Sequence, residues 1–350
     1  MPKRSMINGP LFASRGGRRG GRRQSAPVLP IFLVTLPFFA LVAAGYLAAR
    51  IRILPIEAIP GLNAFVLYFA LPSMLYRFGA TTPIDQLLDG SVALIWGICA
   101  FIMVAAVVAW SVRARIGWND AAFGALVAAF PNTGFMGVPL LTAILGAQAA
   151  GPVIFTIIFD MVVTTSLCIA LSRLDSADSR GAAQAMRSAL AGVFRNPMPW
   201  AIMLGAVASW ASVRLPGPLD RTVAMLGDAA SPVALFTIGA VLARSAMMAR
   251  GARGQAPLRD VVPVVVAKLA LHPVLVAGVA LGLRAVGLPL SLSALTVLVL
   301  VAALPSASNV SMLAERFGAD NGRVARIILW TTVAAFFTFP LVVEQAARLR

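Results

Sequence analysis

The chain has 350 residues, of which 59% are apolar and only 12% are charged, and its mean hydropathy is +0.87. A soluble domain carries about 25% charged residues, so this composition excludes a soluble protein and predicts an all-α integral membrane protein. The net charge is +16, but no hydrophilic segment is long enough to form a nucleic-acid-binding domain, and no nucleic acid partner is expected. The only cysteines, Cys99 and Cys168, lie in apolar segments. This leaves neither a disulfide framework nor a metal-binding motif, and no metal or cofactor is expected.

Residues 1–28 form a basic N-terminal arm. It carries seven Lys and Arg residues among Gly, Ser and Pro. Such a segment cannot form an apolar core, so it is predicted to be disordered. It resembles the basic region of a signal peptide, but the apolar run that follows is too long and has no clear small-residue cleavage site.

Ten apolar segments of about membrane-spanning length follow the arm. They lie at approximately 29–50, 59–78, 91–112, 120–145, 152–173, 198–214, 219–243, 260–283, 289–313 and 323–346. The long polar connection at 174–197 divides them into two five-helix repeats, residues 29–173 and 198–350. Because each repeat has an odd number of spans, the second must be inverted in the membrane relative to the first.

The two halves resemble each other in sequence. Residues 70–80 in segment 2 and residues 230–240 in segment 7 share Ala, Pro, Leu, Gly and Ala at one fixed offset. Chance matching of short Ala/Leu-rich strings is the alternative explanation. It is weakened because a second pair of elements, in segments 4 and 9, recurs in the same order.

Segments 4 and 9 both carry helix-breaking residues near their middle. Segment 4 contains Pro131 and Asn132, and segment 9 contains Pro305 and Asn309. Proline removes a backbone donor and clashes with the preceding turn. Broken backbone at membrane depth is tolerated only where it is buried in protein or lines a wet cavity. Paired interruptions in the two halves indicate a transport site, whereas kinks that only accommodate helix packing are the alternative.

The orientation follows from the distribution of arginine. Without the arm, the loops on the side of the middle loop carry fifteen arginines and those on the opposite side carry six. The positive-inside rule then predicts that the N-terminus is outside and that the 174–197 loop is cytoplasmic. The seven basic residues of the arm would reduce this difference to fifteen against thirteen. We give more weight to the bias that is spread over five loops.

These strings resemble the auxin efflux carrier family, which includes plant auxin carriers and bacterial permeases such as malonate carriers. The resemblance is carried by residues 131–139 (PNTGFMGVP), by residues 71–75 (LPSML) with their partner around Pro232, and by Pro305 with Asn309. It extends over nearly the whole chain from about residue 29. The plant proteins have a long regulatory middle loop, which is short here.

The resemblance implies a fold and a mechanism. Ten helices would form two inverted repeats, with crossover helices 4 and 9 broken. Helices 1, 2, 6 and 7 would form a scaffold, and helices 3–5 and 8–10 a transport unit that moves like an elevator. The protein would be a multi-pass carrier of small mono- or dicarboxylates in the bacterial inner membrane, with a homodimer through the scaffold as a further expectation. Its substrate site is expected to comprise Pro131, Asn132, Thr133, Gly134, Pro305, Ser308 and Asn309.

The physical chemistry of these residues supports the same site independently. An anionic carboxylate is stabilised by helix N-terminal N–H groups and by neutral donors. We expect free N–H groups near residues 134–136 and 308–310, beside the two asparagine amides. Hydroxyl groups add donors close by, although for any single one a role in helix packing is the more common use. They belong to Thr133, Ser306, Ser308 and Ser311.

Few acidic or basic residues lie well inside the apolar segments, away from the segment ends. They are Asp160, Asp228, Lys268 and His272. Charge at membrane depth is costly and indicates function by default. We expect Lys268 to pair with Asp160, where the pair would tune substrate release or carry a proton. The alternatives are a static ion pair, or a His272 that is simply hydrogen-bonded before Pro273.

Three other functional classes compete with a carrier. An intramembrane enzyme would need an activated nucleophile or a metal pair, and neither H-E-x-x-H nor G-x-S-x-G occurs in the chain. A membrane sensor would need an output domain. The absence of a nucleotide-binding G-x-x-x-x-G-K-[ST] motif also disfavours an ATP-driven pump.

Overall fold

The computed structural model describes residues 28–81, 89–174, 187, 197–251 and 257–348. The predicted disordered arm and nearly all of the predicted 174–197 loop lie outside these ranges. The helices, labelled so that α4 and α9 each have two parts, are α1 (Val28–Arg50), α2 (Ile56–Thr81), α3 (Gly90–Arg113), α4a (Trp118–Ala129), α4b (Thr133–Leu145), α5 (Ala150–Leu171), α6 (Pro197–Trp210), α7 (Gly217–Gly251), α8 (Leu258–Ala285), α9a (Leu292–Ala302), α9b (Asn309–Arg316) and α10 (Asn321–Ala347).

Within the described ranges the protein is all-α, and each predicted apolar segment coincides with one of these helices or helix pairs. Six helices (α2, α3, α5, α7, α8 and α10) are long and apolar enough to cross a bilayer. The apolar part of α1, together with α4b and α9a, is shorter. The described residues therefore show a multi-pass helical membrane protein with two interrupted segments at 130–132 and 303–308.

Helices α1 and α7 pack against each other through glycine. A Cβ atom built on Gly45 would lie 1.8 Å from the Phe236 carbonyl oxygen, and one on Gly239 would lie 1.9 Å from the Val42 oxygen. No larger side chain fits at either position. Small residues allow this backbone-to-backbone approach, which is the usual way in which membrane helices are held together.

Helices α2 and α6 repeat the arrangement. A Cβ on Gly79 would lie 2.5 Å from the Ile202 carbonyl oxygen, and one on Gly205 would lie 2.2 Å from the Tyr76 oxygen. Gly79 and Gly239 are also the matching glycines of the two similar strings at 70–80 and 230–240. The sequence similarity between the halves therefore falls on equivalent packing positions.

A buried arginine ties together the starts of three helices, one of which is its own. Arg323, near the start of α10, donates from Nη1 to the Asp120 carbonyl oxygen at 2.7 Å and from Nη2 to the Asp260 carbonyl oxygen at 3.3 Å. Asp120 lies at the start of α4a and Asp260 at the start of α8. The Asp120 side chain also accepts the Asp320 N–H at 2.7 Å. We call these four residues the Arg323 clamp, and it joins α4a, α8 and α10.

The two interrupted segments lie at the centre of the molecule. Residues 121–133 of the first and 294–307 of the second are buried throughout. They are enclosed by α3, α5, α8 and α10. The interruptions are therefore surrounded by protein, as broken backbone inside a membrane requires.

Candidate functional site

The two interruptions meet as a short antiparallel backbone contact. The Asn132 N–H donates to the Pro305 carbonyl oxygen at 2.7 Å, and the Ala307 N–H donates to the Phe130 carbonyl oxygen at 3.0 Å. Pro131 and Ser306 face each other as an isolated β-bridge. We call residues 130–133 and 305–309 together the crossing. It compensates part of the backbone hydrogen bonding that the two broken helices lose.

Local sequence explains why the helices break at these points. Phe130 precedes a proline and adopts an extended conformation (φ −95°, ψ 101°), as steric contact with the proline ring favours. Pro131 and Pro305 have no N–H to donate. Each can therefore take part in the antiparallel contact only through its carbonyl group or through the groups of flanking residues. The Ser306 N–H, which would otherwise be unpartnered, donates to Thr331 Oγ1 of α10 at 3.2 Å.

Each half-helix that leaves the crossing begins with unpartnered N–H groups. In α4b the N–H groups of Gly134 and Phe135 have no protein acceptor within the described residues, and the same is true of Ser308 and Asn309 at the start of α9b. The expectation of free donors near 134–136 and 308–310 is met only at the first part of each range. Met136 donates to the Asn132 carbonyl oxygen at 3.1 Å, and Val310 is likewise bonded.

The side chains at the crossing are buried and incompletely hydrogen-bonded. Asn132 is 3% exposed, and its Oδ1 has no hydrogen-bond partner. Ser306 Oγ is also buried without a partner. Thr133 Oγ1 makes only a long bond, 3.4 Å, to the Pro131 carbonyl oxygen. A small void of about 20 Å³ borders Asn132, Gly134 and Asn309.

A larger cavity of about 360 Å³ adjoins the crossing and shares Phe135 and Asn309 with the small void. Its walls are the first part of α2, the last part of α7, and α9b with the start of α10. The lining residues include Asn63, Tyr68, Arg244, Ser308, Asn309 and Glu315. Two half-helix N-termini, two asparagines and an adjoining cavity form a site suited to a small anion.

The predicted ionisable residues separate into two places. Asp160 is fully buried in a π-helical turn of α5, where its Oδ1 accepts Trp96 Nε1–H at 3.1 Å and the Thr164 hydroxyl at 2.7 Å. Its other oxygen, Oδ2, has no partner. The carboxylate is therefore held by neutral donors and not by a contacting cation.

Lys268 is fully buried in a π-helical turn of α8. Its Nζ lies 3.0 Å from His272 Nδ1 and donates to the Ala302 carbonyl oxygen at 3.0 Å. Ala302 ends α9a, so the ammonium group binds the negative end of a broken helix. Lys268 and Asp160 interact electrostatically but form no salt bridge among those of the described residues.

The His272 ring lies 5.4 Å from the Trp96 ring and so links the two groups. We call Trp96, Asp160, Thr164, Lys268 and His272 the buried polar network. It connects α3, α5 and α8 with the end of α9a. The π-helical turns at Asp160 and Lys268 are of a kind that is frequent at functional sites.

Asp228 lies elsewhere. Its Oδ1 accepts Arg77 Nη1 at 2.9 Å, and its side chain is 74% exposed. This ion pair joins α7 to α2. Asp228 is therefore not part of the buried polar network, and the structure gives it a partner other than Lys268.

Comparison with known proteins decides what kind of protein contains this site. The family described as Membrane transport protein matches residues 30–343. The chain belongs to this transporter family. It is 31% identical over 310 residues to a Rhizobium meliloti (strain 1021) protein named "Putative malonate transporter", across 87% of this chain and 92% of that one.

Two further relatives extend the comparison. An "Uncharacterized transporter" of Methanothermobacter thermautotrophicus is 27% identical over 312 residues, covering 87% of this chain and 95% of its own length. "Auxin efflux carrier component 8" of Arabidopsis thaliana is 22% identical over 276 residues, covering 63% and 74%. The predicted relationship to auxin efflux carriers is confirmed. The protein is a membrane transporter and not an enzyme, and its bacterial relatives fit a location in the inner membrane.

Several residues of the cavity and of the buried polar network were not predicted from the sequence of the transporter. Arg244 was counted only among loop charges, yet it lines the cavity beside the crossing. Trp96 and Thr164 bind Asp160 but carry no charge that would single them out. The i, i+4 spacing of Asp160 and Thr164, which places both on one helix face, was the available signal.

Proposed function

We propose that the protein is a secondary carrier of small organic anions, with carboxylates as its substrates. The observation that carries this proposal is the crossing together with the starts of the two half-helices that leave it. Four N–H groups without an acceptor among the described residues and two asparagines lie at or beside a small void there, and no described cationic side chain lines that void. Hydrogen bonds to a charged partner contribute roughly 1.5–3 kcal/mol each, so a few are sufficient for specific binding. The name of the Rhizobium meliloti relative supports the same substrate class.

We also propose the ten-helix arrangement in two inverted repeats, with α1, α2, α6 and α7 as the scaffold. The glycine contacts support it, because α1 with α7 and α2 with α6 are exchanged by the repeat relation. The Arg323 clamp supports a separate transport unit, since it fastens α4a, α8 and α10 to one another. The cavity lies between these two groups of helices, on the side that the positive-inside rule predicts to be cytoplasmic.

The carrier function is tested with the full-length protein in liposomes loaded with unlabelled malonate. We expect uptake of labelled malonate in exchange and its recovery without chemical change. Uptake of no mono- or dicarboxylate would contradict the proposal. Recovery of a chemically altered product would favour an intramembrane enzyme instead.

We further propose that the transport unit moves like an elevator along the scaffold, so that the two slide past each other at the sliding interface where they meet. This movement predicts that a cross-link across the sliding interface blocks transport and that a cross-link within the scaffold does not. Asn63 of α2 contacts Met312 of α9b, with Nδ2 3.3 Å from Sδ, so the pair spans the proposed sliding interface. We expect complete loss of exchange when Asn63→Cys/Met312→Cys is joined by a bifunctional methanethiosulfonate reagent, and recovery after reduction. The native cysteines are buried and should not react.

The matched control is Arg77→Cys/Asp228→Cys, which joins α2 to α7 within the scaffold. Its cross-link should leave exchange within about twofold of the uncross-linked protein, because these helices do not separate. Equal inhibition by both cross-links would contradict a movement along the proposed interface.

A further inference from the structure

The cavity beside the crossing has two walls that are formed by different groups of helices. One wall is formed by α2 and α7 and includes Asn63 and Arg244, and the other is formed by α4b, α9b and α10 and includes Asn309 and Glu315. Asn309 also belongs to the crossing. A ligand that touches the crossing can therefore reach the α7 wall within the same cavity of about 360 Å³.

Arg244 is the cation of this cavity. It is half-buried, and it makes no hydrogen bond or ion pair within the part of the chain that the structure describes. Ionisable residues of membrane helices that face a water-filled cavity mark substrate pathways, and a cation without an internal partner is available to an anionic ligand. A guanidinium group has five donors in a planar fork that matches a carboxylate in two parallel hydrogen bonds.

Glu315 lines the same cavity but does not neutralise Arg244. It is exposed, it lies on α9b, and no salt bridge joins it to Arg244 among the described residues. The cavity therefore offers two separate places for negative charge. The neutral donors of the crossing provide one, and the free guanidinium group provides the other.

We propose that Arg244 binds the second carboxylate of a small dicarboxylate whose first carboxylate is held at the crossing. This inference rests on the proposed function and narrows its substrate class from carboxylates to dicarboxylates. The neutral crossing alone gives no reason to prefer two carboxylates over one. Arg244 supplies that preference, and it is therefore a specificity-determining residue.

The position of Arg244 also makes binding asymmetric. Arg244 is on α7, in the proposed scaffold, whereas the crossing belongs to the proposed moving unit. When the moving unit carries the substrate away, the first carboxylate keeps its partners and the second loses Arg244. The affinity for a dicarboxylate should therefore be higher on the side where this cavity opens.

The experiment compares malonate with monomethyl malonate, which keeps the skeleton and one carboxylate but masks the other. Both compounds are tested on full-length protein in detergent. Binding to the wild type is measured by competition against labelled malonate, and binding to the variants is measured by direct titration. We expect Arg244→Gln to lower malonate affinity about 10-fold. This is the lower end of the loss expected when a hydrogen bond to a charged group is removed, because the cavity is open to water. The affinity for the monoester should stay within twofold, which also shows that the variant is folded.

Two matched controls separate charge at this position from other effects. Glu315→Gln changes a charge of opposite sign in the same cavity, and Arg221→Gln removes an exposed arginine near the other end of the same helix α7. Neither should weaken malonate binding by more than twofold. Arg244→Lys, which keeps the charge but not the planar fork, should recover part of the preference for malonate.

Three outcomes would overturn the inference. The first is an equal loss of malonate and monoester binding in Arg244→Gln, the second is no loss of either, and the third is the same loss of malonate binding in Glu315→Gln. In each case malonate still binds the wild type, so the proposed function stands. Failure of the wild-type protein to bind any carboxylate would overturn the proposed function and this inference together.

Discussion

The crossing and the buried polar network both place polar groups in the apolar centre of the molecule, but they complete their hydrogen bonds differently. In the network, Lys268 is bound by His272 and by the Ala302 carbonyl group, and Asp160 Oδ1 accepts two side-chain donors, although Asp160 Oδ2 has no partner within the described residues. In the crossing, the N–H groups of Ser308 and Asn309 and the Asn132 Oδ1 have no partner within the described residues.

This difference separates support from recognition. A buried charge that the protein itself satisfies contributes to holding helices together, and removing its partner leaves an unpaired charge in a dry interior. Buried donors that the protein leaves unsatisfied lower stability unless a ligand or water completes them. We therefore expect substitutions in the network to change stability, and substitutions in the crossing to change binding.

The largest effect is expected for Lys268→Met. It removes the cation from α8, from the end of α9a and from the vicinity of Asp160, and it should lower the free energy of unfolding by about 3–5 kcal/mol. The double variant Lys268→Met/Asp160→Asn should be more stable than the single one, because no uncompensated charge then remains. Thermal unfolding of the full-length protein in detergent measures both.

The control for this rescue is Lys268→Met/Asp228→Asn, since Asp228 is bound by Arg77 on another surface. Its unfolding temperature should be no higher than that of Lys268→Met alone. Recovery of stability with Asp228→Asn and not with Asp160→Asn would mean that Lys268 acts on α7 across the proposed sliding interface.

At the crossing, Asn132→Ala and Asn309→Ala should each weaken carboxylate binding by about 10- to 150-fold, which corresponds to the loss of one hydrogen bond to a charged group. Stability should change little, because Asn132 Oδ1 has no partner to lose and the backbone bond from Asn132 to Pro305 does not need the side chain. Asn63→Ala, in the cavity wall but outside the crossing, should bind within twofold of the wild type. Normal carboxylate binding by both crossing variants would show that the crossing is not the substrate site.

Sequence was sufficient to locate the breaks because their cause is local. Pro131 and Pro305 exclude a continuous helix whatever surrounds them. Which N–H groups remain free was not predictable, because α4b restarts at Thr133 and the Met136 N–H is used by the Asn132 carbonyl group. That register depends on the antiparallel contact with a segment more than 170 residues away.

The partner of Lys268 could not be deduced from residue types. The sequence offered two carboxylates, Asp160 and Asp228, and we expected Asp160 to be in contact with the ammonium group. The structure gives it a backbone carbonyl group, Ala302, and a histidine four residues away. A carbonyl group is present in every residue, so only the fold shows which one is free at the end of a broken helix.

The smallest effect is expected for Asp228→Asn. The Arg77–Asp228 pair resembles the buried polar network in charge but not in burial, since the two side chains are 44% and 74% exposed. An exposed ion pair contributes about 0–1 kcal/mol, so thermal unfolding of this variant should stay close to that of the wild type. The control is Arg77→Met/Asp228→Asn. Its thermal stability should equal that of Asp228→Asn, because neither member of the exposed pair contributes much to stability. A loss as large as that of Lys268→Met would place this pair in the hydrocarbon region, where charge is costly, and the contrast between a supporting network and a marginal surface pair would then no longer hold.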